Sequence, residues 1–375
     1  MNTVLYKLFA ASFRFFSLFP LREKAALLSP HMAKFTDSLG EMEKEMARRG
    51  VRTVRVSGSD VKPDRITPSA VLRALRFFTV GAYRLATSSV VFLNDNFMPL
   101  ADLPIRGKAQ WVQLWHAEGA FKRFGLDIPN LPDDVRDRVM RGNAKLRYVI
   151  CSAKSVVPIY ASAFGVPQEK VLPLGSPRAD AYIRACREAD TTAFRKKYFG
   201  ETDKIIVLYA PTFRDDPAEN RTLLSHFDFD AFRRELGGEY LLVLRLHPQF
   251  HDIPIPEDVC DMTGFADAGA LFSACDLLVT DYSSVCLDFA LLEKPCVFYA
   301  FDLDKYASDR SFYRDYTQYV PGPAAKTFPQ LLAAIRSADA DRDALRSFAQ
   351  FNFDTQDGQC AARIADLVMQ SANPR

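Results

Sequence analysis

The stretch Asp276–Pro295, DLLVTDYSSVCLDFALLEKP, changes periodicity once, and that change sets the fold class. Its first part, Leu277–Thr280, is a short continuous apolar run of the kind buried on both faces of a parallel sheet. From Val285 onward the apolar residues recur at helical spacing, so a helix follows. The turn DYSS, led by Asp281, therefore joins a strand's carboxyl end to a helix's amino end. Ligands of open α/β sheets lie in such places, where free amides and a partial positive charge suit a phosphate. Ser283 and Ser284 add hydroxyl donors, although serine also caps helices with no ligand present, so both roles stand for this pair.

Outward from this turn the same grammar repeats. KIIVLYA (204–210), YLLVLRL (240–246), a segment near 260–263 and CVFYA (296–300) read as further buried strands of one α/β series. An earlier series contains ALLS (26–29), VRTVRVS (51–57), SVVFLN (89–94), WVQLWH (111–116), LRYVICS (146–152) and KVLPLG (170–175), with helical patterns between. Alternation of strand and helix predicts an α/β protein with two open parallel sheets and a cleft between them. A chain of 375 residues exceeds what one growing core supports, so two domains are expected. We place them at 21–187 and 204–340, with a polar linker at 188–203 and a helical segment at 341–375.

Composition narrows the function. Hydrophobic residues at 48% and charged residues at 25% exclude a disordered chain. A net charge of +2 provides no global basic field, so nucleic acid is not an expected partner. The seven cysteines are dispersed without a CxxC pair, as expected of buried thiols in a cytoplasmic protein. Residues 4–20, VLYKLFAASFRFFSLFP, are too interrupted to span a bilayer and lack a small-residue cleavage site. An amphipathic helix is expected there, either lying in a membrane interface or docked on its own domain.

Three more strand ends carry candidate chemistry. In YAPTFR (209–214), Pro211 breaks the ladder and delivers Thr212 and Arg214, whose planar fork suits a diphosphate. In RLHP (245–248), His247 sits at a strand tip ended by Pro248. His247 and His251 have metal-ligand spacing, but Pro248 argues against the helix that spacing requires, so no metal site is expected. In QLWHAEGAFKRFG (113–125), His116 ends a strand and can accept a hydroxyl proton, while Glu118, Lys122 and Arg123 follow in the loop. Two acidic triplets, Asp228–Asp230 and Asp302–Asp304, stand at apparent helix starts, where capping explains them more cheaply than a metal.

WHAEGAFKRFG (115–125), GSPRAD (175–180), LYAPTFR (208–214), LRLHP (244–248) and TDYSSVCLDFALLEKPCVFYAFDLDKY (280–306) together resemble the CDP-glycerol glycerophosphotransferase family. The resemblance implies a GT-B architecture, with two Rossmann-like domains and the donor held mainly by the second. It implies CDP-glycerol as donor, no assigned cofactor, and magnesium left open. A lipid-linked saccharide or polymer end is the implied acceptor, reached at the cytoplasmic membrane surface. Carried over by position, His116 matches the proposed base and His247 the histidine near the donor diphosphate. Arg214, Ser283 and Ser284 match donor phosphate contacts; Thr212 and Asp281 flank them. Glu118, Lys122 and Arg178 are expected to meet the acceptor or its loop. Polymerising members often carry Gly-Thr-Pro after the WH pair, where this chain has Ala117, Glu118 and Gly119, closer to priming members. A sugar-nucleotide glycosyltransferase of the same architecture, or a non-catalytic scaffold, are the competing expectations.

Overall fold

A computed structural model describes residues 3–31, 35, 37–58, 67–214, 216–247, 253–338 and 341–372. Its contacts divide the chain into two units. The first comprises residues 1–120, 124–181 and 353–375, and the second comprises 121–123 and 182–352.

The first unit holds a six-stranded sheet of β1 (Arg22–Ser29), β2 (Arg52–Ser57), β3 (Ser88–Leu93), β4 (Gln110–Gln113), β5 (Tyr148–Ile150) and β6 (Val171–Leu172). The order is β2-β1-β3-β4-β5-β6, parallel throughout. Because consecutive β2 and β3 lie on opposite sides of β1, the winding reverses between β1 and β3. The second unit holds β7 (Ile205–Ala210), β8 (Tyr240–Leu244), β9 (Cys260–Asp261), β10 (Leu277–Thr280), β11 (Cys296–Tyr299) and β12 (Ala324–Ala325). Here the order is β12-β11-β10-β7-β8-β9, again parallel, with reversal between β7 and β10. Such reversal points open a crevice beyond the strands' carboxyl ends. The α/β class and the paired parallel sheets are as the periodicity predicts.

Burial explains why these segments are strands. Leu277, Leu278, Val279 and Thr280 are all buried, as are Ile206, Val207 and Leu208 in the same sheet and Ala25, Ala26, Leu27 and Leu28 in the first, so each sheet is covered on both faces there. Tyr209, Phe227, Leu244, Val279, Val297 and Leu331 belong to the second unit's core. In the first unit, Leu27, Met42, Phe92 and Val112 pack with Ile364, Ala365 and Val368 of the final helix, Cys360–Ala372.

That helix corrects the expected partition of the C-terminus. The segment 341–375 is two helices, and only Arg342–Asn352 belongs to the second unit. The last helix returns to the first sheet because its apolar face fills that core and Asp180 accepts a hydrogen bond from Ala361 N at its start. The stretch 188–203 contains a short helix. Thr191–Tyr198 is a helix within the second unit, tied down by Arg195 donating to Asp276 and the Ala274 carbonyl and by Phe194 against Phe265.

The N-terminal helix, Thr3–Phe16, is docked on its own unit along one face. Phe9 and Phe13 are buried against Phe77, Phe97 and Trp111, while Val4, Leu8 and Phe15 on the other side are exposed. Among the described residues no helix is long and apolar enough to cross a membrane. All seven cysteines are free, and burial pushes the Cys151, Cys275 and Cys360 thiols up to about 12.

Candidate active site

In the second unit the expected motifs converge on the β7/β10 reversal point. Ala210 and Thr280 are register partners, and Thr280 Oγ1 donates to the Ala210 carbonyl at 2.7 Å, which locks the two strand ends together. One residue beyond, the buried Asp281 accepts from Thr212 N at 2.8 Å and from its neighbour Tyr282 N at 2.6 Å. The YAPTFR and DYSS turns are thereby a single structure.

Arg214 does not emerge into solvent as its position after a strand suggested. Its side chain is 4% exposed, with Nε on Asp302 Oδ2 at 2.8 Å and Nη2 on Asp281 Oδ2 and Asp302 Oδ1 at 3.0 Å each. Nη1 donates to the Thr212 carbonyl at 2.6 Å. The rings of Tyr282 and Tyr306, stacked at 3.9 Å, stand 5.1 and 5.0 Å from the guanidinium carbon. Burial pulls the guanidinium pKa down, but the Asp281 and Asp302 carboxylates more than offset this and hold it above its ordinary value. One cation between two carboxylates leaves a net negative cluster, in which Arg214 and Asp281 brace the two turns. Asp302 stands at the cap position of the helix Leu303–Arg310 but makes no side-chain capping bond; its carboxylate turns inward to Arg214 and to the Tyr282 hydroxyl at 2.9 Å. Asp228, by contrast, does cap its helix through Ala231 N.

Around this network stand hydroxyls, an imidazole and an ammonium. Thr212 is 7% exposed, and its Oγ1 is buried without a hydrogen-bond partner among the described residues. Ser283 Oγ accepts from Val285 N at 3.3 Å, closing the turn. Ser284 occupies the cap position of the helix Val285–Leu291, yet its hydroxyl makes no capping bond, so capping does not account for it. His247 follows β8 with its ring 4.7 Å from that of Phe213. Partial burial, and then the charge of Lys122, lower its pKa, which favours the neutral imidazole near pH 7. His251, the other half of the metal-spaced pair, lies outside the described residues.

Residues 121–123 belong to the second unit, where Lys122 bridges to Phe312, Arg123 N donates to the Ser311 carbonyl, and Phe121 packs on Phe312 and Tyr316. Lys122 Nζ lies 3.3 Å from the Tyr306 hydroxyl. It is a cation of the second unit.

The first unit presents a separate group around His116. β4 stops at Gln113 because Trp115 takes φ +60, a left-handed conformation that costs a non-glycine residue about 1–2 kcal/mol. Two contacts hold it there: Trp115 N donates to Gln113 Oε1 at 2.9 Å, and the indole stacks on Phe124 at 5.2 Å. The turn leaves the His116 side chain 45% exposed, with Nδ1 3.1 Å from the Asn94 carbonyl and 3.6 Å from Asp95 Oδ2. A carbonyl oxygen only accepts, so Nδ1 carries the proton and Nε2 presents a lone pair.

Glu118 is a loop contact. It is buried, with Oε1 accepting from Ser176 Oγ at 2.7 Å and Oε2 paired with Arg178. Glu118 and Arg178 join the loop after His116 to the GSPRAD segment. Among the described residues the group with metal-ligand spacing is Asp180, Asp357 and Cys360. There Arg363 already supplies a cation, paired with Asp357 at 2.8 Å and donating to Cys360 Sγ at 3.2 Å.

The chain is 35% identical over 302 residues to the teichoic acid poly(ribitol-phosphate) polymerase of Bacillus spizizenii, covering 77% of this chain but 48% of that protein. It is also 35% identical over 297 residues to the same organism's teichoic acid ribitol-phosphate primase, with 76% of each chain covered. Among solved structures, a variant of the wall teichoic acid polymerase TagF aligns with a TM-score of 0.78 at 21% identity, covering 99% of this chain and 98% of that one, which shows a shared fold. Residues 12–370 match the family described as CDP-glycerol:poly(glycerophosphate) glycerophosphotransferase, and the chain belongs to that family.

Proposed function

We propose that the chain transfers a polyol phosphate from a CDP-activated donor to an acceptor hydroxyl and releases CMP. The acceptor oxygen forms a bond to the β-phosphorus, the bond from that phosphorus to CMP breaks, and the hydroxyl proton passes to Nε2 of His116. Transfer of this type depends on positioning and charge stabilisation more than on covalent catalysis. The observation that carries the reading is the β7/β10 reversal point, where the Thr212 hydroxyl is buried without a partner among the described residues, Ser284 makes no capping bond, and His247 lies in the field of Lys122. Arg214, Asp281 and Asp302 hold that surface in shape. Incubation with CDP-glycerol, CDP-ribitol and UDP-sugars, with free CMP and UDP measured, tests it; UDP release without CMP would favour a glycosyltransferase.

The polyol is glycerol or ribitol, since curated relatives of both kinds match at 31–35% identity. Priming rather than repeated addition fits Ala117-Glu118-Gly119, because the buried Glu118–Arg178 pair shapes the loop that follows His116.

A neutral His247 acts here as a hydrogen-bond donor to the diphosphate. Its replacement by alanine is expected to lower kcat/KM about 100-fold, and by glutamine about 10-fold, because an amide replaces a neutral donor but not a cation. Equal losses in the two variants, measured by CMP release, would show that the charge of the ring is what matters.

The acceptor is a lipid-linked saccharide or polymer end at the cytoplasmic membrane surface. Support comes from exposed Val4, Leu8 and Phe15 on the first helix and Val71, Leu72 and Leu75 on the helix Pro68–Arg76, which also carries Arg73 and Arg76. Apolar side chains beside cations suit an anionic interface. Removing residues 1–20 would also strip buried Phe9 and Phe13 from the core, so surface substitution is the sounder test. Leu8→Glu with Leu72→Glu should weaken sedimentation with anionic vesicles by about tenfold or more, at about 1.5–3 kcal/mol per side chain no longer inserted. Unchanged partitioning would refute the membrane reading.

A further inference from the structure

His116 does not stand alone at the end of its sheet. Leu28, Leu93 and Gln113 are register partners across β1, β3 and β4, and the chain continues from them to His31, Asp95 and His116. Because β3 lies between β1 and β4, Asp95 is set between the two histidines. Its Oδ2 lies 3.6 Å from His116 Nδ1 and 3.9 Å from His31 Nε2. The rings are 45% and 47% exposed and the carboxylate 26%, so the three groups face outward together. This is also the reversal point of the first sheet, between β1 and β3, where such folds place their ligands.

We infer that Asp95 is a positioning residue for the transfer, holding His116 as the Nδ1–H tautomer and stabilising the imidazolium formed there, with His31 as its second neighbour. The inference rests on the reading of His116 as base. The backbone contributes one half of the hold, through the Asn94 carbonyl at 3.1 Å, and Asn94 is itself fixed by donating to Asp37 Oδ2 at 2.5 Å. Asp95 is fixed in turn, with Oδ1 accepting from Asn96 N at 2.6 Å. A backbone carbonyl alone orients the ring but carries no net charge. A carboxylate at 3.6 Å adds attraction that grows when the ring gains a proton, and that gain falls in the transition state. The proton from the acceptor stays on Nε2, Nδ1 keeps its own, and Asp95 remains ionised. Only His116 also touches the Asn94 carbonyl, which is why it, and not His31, is the ring held for proton transfer.

The test uses Asp95→Asn, an isosteric change whose amide oxygen can still accept from Asn96 N. Long-range proton–nitrogen NMR correlation of the histidine rings should show His116 as the Nδ1–H form in the wild type and as a tautomer mixture in the variant. CMP release should fall about 10- to 100-fold in kcat with donor KM within about twofold, and Asp95→Glu should recover part of the loss. His31→Gln should leave the His116 tautomer unchanged and kcat within about threefold. An unaltered tautomer and unaltered kcat in Asp95→Asn would overturn the inference, as would a loss in His31→Gln equal to that in His116→Ala. Unchanged turnover in His116→Ala would remove the base assignment separately, and the tautomer comparison alone would then decide whether Asp95 fixes the ring.

Discussion

Replacing His116 by alanine abolishes most CMP release, by about 100- to 10,000-fold, while the protein folds as before. Both halves follow from its placement. The ring is 45% exposed, and its hydrogen bond is to a backbone carbonyl, so removing it leaves no cavity and no buried charge. The backbone that presents it is set by its neighbour, since Trp115 keeps φ +60 through Gln113 and Phe124 whether or not residue 116 has a ring. What alanine loses is the group proposed above to take the acceptor proton as the new oxygen–phosphorus bond forms. Donor binding is expected to persist, since Thr212, Ser283, Ser284 and His247 belong to the other unit. Turnover and donor affinity should therefore separate: kcat collapses and the donor dissociation constant changes by less than about threefold. Full activity in His116→Ala would end the base assignment.

The strands and their ends were open to reading because period and length speak in the sequence itself. LLVT, IIVLYA and CVFY are continuous apolar runs closed by Asp, Pro or small residues, and each is a strand whose far end enters a turn of the site. β12 had no such voice; Ala324–Ala325 becomes a strand only because β11 offers an edge. The final helix reads as helical but its docking does not, since Ile364 and Val368 reveal an apolar face and not which sheet it covers. Partnership was the harder matter. Arg214 after a strand looks like a free fork, and the two acids that consume it come from 67 and 88 residues away. Asp302 begins a helix, so a cap is the local expectation, and only the fold turns it inward. Asp95 and His31 escaped notice for the same reason. Each follows its strand in an unremarkable loop, and their meaning arises from β3 lying between β1 and β4.

Arg214 carries the largest expected effect on stability, and the experiment that shows it also separates a brace from a phosphate contact. Arg214→Ala leaves Asp281, 2% exposed, and Asp302, 18% exposed, facing each other without their cation. Breaking a buried ion pair from one side typically costs about 3–5 kcal/mol, because the remaining charge is left uncompensated. Both tryptophans, Trp111 and Trp115, lie in the first unit, so tyrosine near-ultraviolet circular dichroism during urea unfolding is the suitable signal. Arg214→Lys should fall between wild type and alanine, since an ammonium keeps the charge but cannot satisfy two carboxylates and the Thr212 carbonyl in one plane. Arg214→Met combined with Asp281→Asn and Asp302→Asn should be less destabilised than Arg214→Met alone, since no unpaired carboxylate remains. Were Arg214 instead a diphosphate ligand, Arg214→Ala would unfold near the wild-type urea midpoint and show a donor dissociation constant raised about 10-fold or more. The network observed here predicts the reverse: a midpoint lowered by the equivalent of several kcal/mol, and near-normal donor binding in whatever fraction remains folded at low temperature.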